Sequence, residues 1–101
     1  MPREQKDELL ALFFKRKATK IFLSLNGGSP PVRYVRAISK VADTEYAHTL
    51  RVLQRFREMG LASTIKLGRT RLYEPTEKGE EVADLIDRVI ETADDHAEHN
   101  S

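Results

Sequence analysis

The chain has 101 residues, 40% hydrophobic and 33% charged, a length that holds one small domain and a balance that favours a compact core over a disordered polyelectrolyte. It contains no Cys, which excludes disulfides, thiolate nucleophiles and Cys-based zinc sites and fits a reducing cytosol. The net charge of +1 is unevenly divided, with six basic against three acidic residues in 1–31, nine against four in 32–75 and two against nine in 76–101.

A basic centre beside an acidic C-terminal part is expected where one surface meets a polyanion and another does not. No apolar run approaches the ~20 residues of a membrane helix, and MPREQKDELL lacks the apolar centre of a signal peptide, so a soluble cytoplasmic protein is expected. Chains this short bury only about two thirds of their unfolded surface, which leaves apolar area for a second subunit to cover.

From Arg3 to about Leu25, apolar residues recur at helical spacing around Lys15, Arg16 and Lys17, and the pattern leaves open one long helix or two. Asn26-Gly27-Gly28-Ser29-Pro30-Pro31 then stops the helical run. The spacing of Val32, Tyr34, Val35, Ala37, Ile38 and Val41 predicts a short amphipathic helix over 32–41. A third helix is predicted over 44–59, with Thr44 suited to cap its free amides, Glu45 near its positive end and Gly60 ending it. At about 100° per residue, Tyr46, Thr49, Leu50, Val52, Leu53, Phe56 and Met59 share a face expected in the core. The opposite face carries Thr44, Ala47, His48, Arg51, Gln54, Arg55 and Glu58.

Leu61–Leu67 and Thr70–Tyr73 alternate in the manner of strands, with Gly68-Arg69 as a hairpin turn. Pro75 closes this ribbon, and Thr76-Glu77-Lys78-Gly79 opens a last helix whose apolar stripe is Val82, Ala83, Leu85, Ile86, Val89, Ile90 and Ala93. The fold class expected is mainly α with a small β-hairpin wing. Residues 1–101 form one domain, divided into an N-terminal helical region (1–26), a helix-turn-helix plus wing (32–75) and a C-terminal helix (76–99).

The stretch from Val32 to Gly79, with its Gly60-Leu61 step, basic hairpin and Pro75-Thr76-Glu77-Lys78-Gly79 helix start, resembles the winged helix-turn-helix of MarR-like and ArsR-like prokaryotic or archaeal transcriptional regulators. It departs from the usual Leu-Thr-Glu-Lys-Gly pattern in having Pro before the Thr. The resemblance implies a protein that binds double-stranded DNA, its recognition helix 44–59 in the major groove and its wing 61–75 on an adjacent groove or the backbone. Thr44, Ala47, His48, Arg51, Gln54 and Arg55 are then candidates for base readout, since Arg suits guanine, Gln suits adenine and short side chains permit close approach. Candidates for backbone and wing contacts are Arg33, Arg36, Lys66, Arg69, Thr70 and Arg71, with Lys15, Arg16 and Lys17 behind them.

In the resembled regulators the terminal helices form a two-fold interface. Here Leu9, Leu10, Phe13 and Phe14 would meet Leu85, Ile86, Val89, Ile90 and Ala93 in a homodimer binding a palindromic site as a repressor. His96 and His99 are read as part of a solvated tail, so no metal is expected and no cofactor. Phosphate loops, Ser nucleophile motifs and paired carboxylates are all missing, so the protein is not expected to be an enzyme. The sequence gives no sign of an effector. The rival readings are a winged-helix protein-interaction module and a sequence-indifferent, chromatin-like DNA-binding protein.

Overall fold

The computed structural model describes residues 3–27 and 33–99, the side chains of Arg3, Gln5, Leu9, Arg33 and residues 94–99 excepted. The N-terminal run forms two helices, α1 (Arg3–Phe13) and α2 (Arg16–Asn26). The chain extends at Lys15, and Thr19 Oγ1 donates to the Phe13 carbonyl at 2.7 Å, which caps the end of α1 from within α2. Part of the expected breaker loop, 28–31, lies outside the described residues, as does Val32 at the expected start of the next helix.

The helix expected over 32–41 is corrected. Arg33–Tyr34 forms a short strand, β1, and α3 covers Val35–Ala42. Arg33 and Tyr34 pair with Tyr73 and Leu72, hydrogen bonding that a helical pattern from neighbours in sequence cannot reveal. The turn that follows is built on Asp43 at φ +56, a left-handed conformation that Asp tolerates better than most residues.

Helix α4 spans Tyr46–Glu58, so the expected start and cap at Thr44 are also corrected. Glu45 holds the capping position without a side-chain bond. The Thr44 hydroxyl is committed elsewhere, bonded at 2.6 Å to that of Thr49, whose side chain is fully buried and also donates to the Glu45 carbonyl at 2.8 Å. Gly60, at φ +77, ends the helix as expected.

Strands β2 (Ala62–Leu67) and β3 (Thr70–Pro75) make the wing, with Gly68 at φ +62 as the first of two turn residues. The sheet has three strands in the order β1-β3-β2, one more than the hairpin alone. Helix α5 covers Glu77–His99. Thr76 Oγ1 accepts from the Gly79 amide at 3.0 Å, an N-cap, and donates to the Gly60 carbonyl at 2.6 Å. A Cβ at position 79 would overlap the Leu61 carbonyl, so the helix start can pack against the end of α4 only because that residue is glycine. This contact is the physical content of the Thr-Glu-Lys-Gly pattern.

The core gathers Ile21, Phe22 and Leu25 of α2, Ile38 of α3, Leu53 and Phe56 of α4, Leu61 and Tyr73. Phe13 joins it, its ring centroid 5.2 Å from that of Phe22 and 5.4 Å from that of Phe56. Such aromatic pairs add about 0.5–1.5 kcal/mol each beyond simple burial, so Phe13, half-buried, packs against the domain's own core. No helix among the described residues is long and apolar enough to cross a membrane.

Candidate nucleic-acid interface

Helix α4 presents four strips. Thr49, Val52, Leu53 and Phe56 are buried, which anchors the rod, and on the opposite side Ala47, Arg51, Gln54 and Glu58 are exposed. One flank carries half-buried His48 and exposed Arg55, the latter's guanidinium 3.3 Å from the Glu8 carboxylate of α1. The other flank carries Tyr46 and Leu50. Tyr46, expected in the core, is 51% exposed, because the sheet stands away from the start of α4 and leaves a groove there.

That groove, of about 860 Å³, runs between α3, α4 and the wing. Arg36 and Lys40 of α3 and Lys66, Arg69 and Arg71 of the wing line it, together with Gln54 and Thr70, and none of its lining residues is acidic. Lys66 and Arg71 are direct partners across the hairpin, a like-charge pairing that costs stability unless an anion lies between them. All three tyrosines of the chain, Tyr34, Tyr46 and Tyr73, also face this space.

The structure thus brings together Arg36, Gln54, Lys66, Arg69, Thr70 and Arg71 in one groove, with Ala47 and Arg51 exposed on the same helix as Gln54. It does not bring Thr44, His48 and Arg55 there. The first spends its hydroxyl on Thr49, Arg55 is paired with Glu8 of α1, and half-buried His48 is not among the residues lining the groove. The Arg33 side chain lies outside the described residues. Sequence reasoning missed Tyr34, Lys40, Tyr46 and Leu50. Lys40 was legible, four residues after Arg36 and therefore on the same helical face.

Tyr73 forms part of the groove floor. Its side chain is fully buried and its hydroxyl has no hydrogen-bond partner among the described residues. Burial pushes the phenol above its ordinary value, and the nearby positive charges of Arg71 and Arg57 partly oppose the shift.

A second surface lies on α5. Ala83 is buried and Val82 and Ile86 are half-buried against the core, whereas every residue from Asp87 to Ala93 is exposed. Leu85, Val89 and Ile90 are 53%, 68% and 51% exposed, and Leu10 and Phe14 near the end of α1 are 47% and 84% exposed. The side chains of Leu9, His96 and His99 lie outside the described residues. Among the described residues no three His, Cys, Asp or Glu side chains gather closely enough to hold a metal.

No protein-family model matches the chain. An uncharacterized protein of Archaeoglobus fulgidus is 26% identical over 89 residues, spanning 84% of this chain and 92% of the relative. Among solved structures, the homodimeric winged helix-turn-helix DNA-binding domain of a possible ArsR-family transcriptional regulator from Mycobacterium bovis superposes with a TM-score of 0.72 at 23% identity, over 95% of this chain and 84% of that one. A MarR family transcriptional regulator from Silicibacter pomeroyi gives a TM-score of 0.71 at 14% identity, over 93% of this chain and 67% of that one. At these identities the likeness is one of architecture: the chain has the winged helix-turn-helix fold, and its structural neighbours include regulators of the ArsR and MarR families.

Proposed function

We propose that the protein is a sequence-specific double-stranded DNA-binding regulator of transcription, a cytoplasmic homodimer without a catalytic step that represses by occupying an inverted repeat. Residues 32–75 carry the duplex contact, and 1–26 and 76–99 carry the pairing, within one unit of 1–101. The observation that carries this reading is the groove itself. Five cationic side chains, two of them directly opposed across the wing, surround a space without a carboxylate beside the exposed Arg51 and Gln54. A phosphate backbone relieves that repulsion, and the adjoining helix can then enter the major groove with a guanidinium and an amide aimed at base edges.

The apolar strip of α5, exposed from Leu85 onward, supports two-fold pairing, as does Leu10 with Phe14 on α1. Two α4 helices would then meet half-sites about one DNA turn, roughly 34 Å, apart. The Mycobacterium bovis neighbour is a homodimer that binds DNA through this architecture, which points the same way.

Selection of bound duplexes from a random pool tests the reading. An inverted repeat with half-sites one or two turns apart is expected. Recovery of unrelated sequences, with equal affinity for a scrambled duplex, would move the protein to the class of sequence-indifferent DNA binders. No duplex binding even at low salt would favour a protein-interaction module.

A further inference from the structure

The groove-facing edge of α4 is not built for polar readout alone. Tyr46 and Leu50 stand four residues apart on the flank that faces α3 and the wing, with Ala47 beside them on the outward side. Tyr46 is half exposed and Leu50 half buried. The Tyr46 hydroxyl can donate to a phosphate oxygen, but its ring, the Ala47 methyl and the part of Leu50 that the core leaves uncovered gain nothing from solvent or from a phosphate backbone. In the major groove of a duplex there is one apolar group on a base edge, the C5-methyl of thymine.

We infer that Tyr46, Ala47 and Leu50 form an apolar reading edge for thymine methyl groups, so that the preferred half-site contains thymines beside the bases met by Arg51 and Gln54. This rests on the duplex-binding reading above. It adds a division of labour along one helix: the polar strip selects by hydrogen bonding, and the adjacent flank selects by burying methyls. Tyr46 and Ala47 lie in the first turn of α4, where a recognition helix comes nearest the base edges. Leu50 follows one turn later on the same flank as Tyr46, so two base-pair steps are within its reach.

The test replaces thymine by uracil, which removes the methyl and keeps every hydrogen-bonding group. Full-length protein is titrated onto the duplexes recovered from the random pool and onto the same duplexes with uracil at each half-site thymine in turn. Burial of one methyl is worth about a fourfold change in affinity, so each contacted position should lose about that factor. A Tyr46→Ser variant, whose exposed site leaves the core intact, should bind the thymine duplex more weakly and lose its sensitivity to uracil at one position. That loss of coupling separates a direct contact from a change in duplex shape. Recovered half-sites without thymine, equal affinity for thymine and uracil duplexes, or undiminished uracil sensitivity at every position in Tyr46→Ser would each overturn the inference while leaving duplex binding standing. Absence of any duplex binding would overturn both.

Discussion

Salt dependence gives the most direct measure of the basic groove. If Arg36, Lys40, Lys66, Arg69 and Arg71 each neutralise one phosphate, five counterions are released per protomer, and log K should fall against log salt with a slope of about −4.5 per protomer and about −9 per dimer. Between 50 and 200 mM salt that amounts to roughly 500-fold per protomer. Arg69→Ala removes one such contact at the wing turn, and because its side chain is exposed the fold should not suffer. The dimer slope should then flatten by about 1.8, equally on recovered and scrambled duplexes, since backbone contacts carry no sequence information. Fluorescence anisotropy titrations of the variant and the parent at four salt concentrations measure this. A parent slope shallower than about −2, or an Arg69→Ala variant with weakened binding and an unchanged slope, would refute the assignment of the groove to phosphates.

Other expectations follow from single contacts. Arg51→Ala should lose about 1–3 kcal/mol of discrimination at one base pair with little change in binding to scrambled duplex, measured on a panel of point-substituted sites; equal losses on both would remove Arg51 from base readout. Gly79→Ala would gain about 1 kcal/mol from helix propensity in open space. Overlap with the Leu61 carbonyl should instead cost about 1–3 kcal/mol in urea unfolding, so the sign alone tests the close approach. Covering Leu85 and Val89 in a dimer is worth roughly 1–2 kcal/mol per side chain, and Leu85→Lys with Val89→Lys should sediment as a folded monomer. A parent protein that is monomeric at micromolar concentration would contradict this pairing surface. Tyr73 is held neutral by burial, so its contribution to stability is present below pH 10 and is lost as pH rises through the higher folded value. Tyr73→Phe should remove that alkaline loss and leave stability at pH 7 unchanged or slightly higher, because the hydroxyl is unpaired; a clear loss at pH 7 would mean that it is bonded.

Much of the architecture is legible in the chain alone. Gly60, Gly68 and Thr76-Glu77-Lys78-Gly79 mark the ends of α4, the wing turn and the start of α5, since each acts within a few neighbouring residues. The buried face of α4 follows from its 3.6-residue period, and the acidic α5 from composition. The candidate site was only partly legible. Wing cations and the exposed Arg51 and Gln54 can be picked from the pattern, but Tyr34, Tyr46 and Leu50 read as ordinary apolar residues.

Tertiary structure decided what periodicity leaves undetermined. A helical repeat ranks residues around an axis, yet it does not say where the neighbouring elements stop covering the apolar arc. Tyr46 therefore faces an open groove, whereas Phe13 packs half-buried against Phe22 and Phe56. A two-residue strand has no period at all, and Arg33–Tyr34 becomes one only because β3 offers its edge. Arg55 is drawn aside by Glu8, a partner 47 residues away in sequence that the local pattern cannot supply. Sequence by itself determined the order of the helix-turn-helix, wing and last helix, the glycine stops at Gly60 and Gly68, the Thr76 start of α5 and the separation of charge, because those depend on local backbone preferences and on composition. Which side chains share the groove was settled by packing between segments distant in the chain, where burial and pairing act through space.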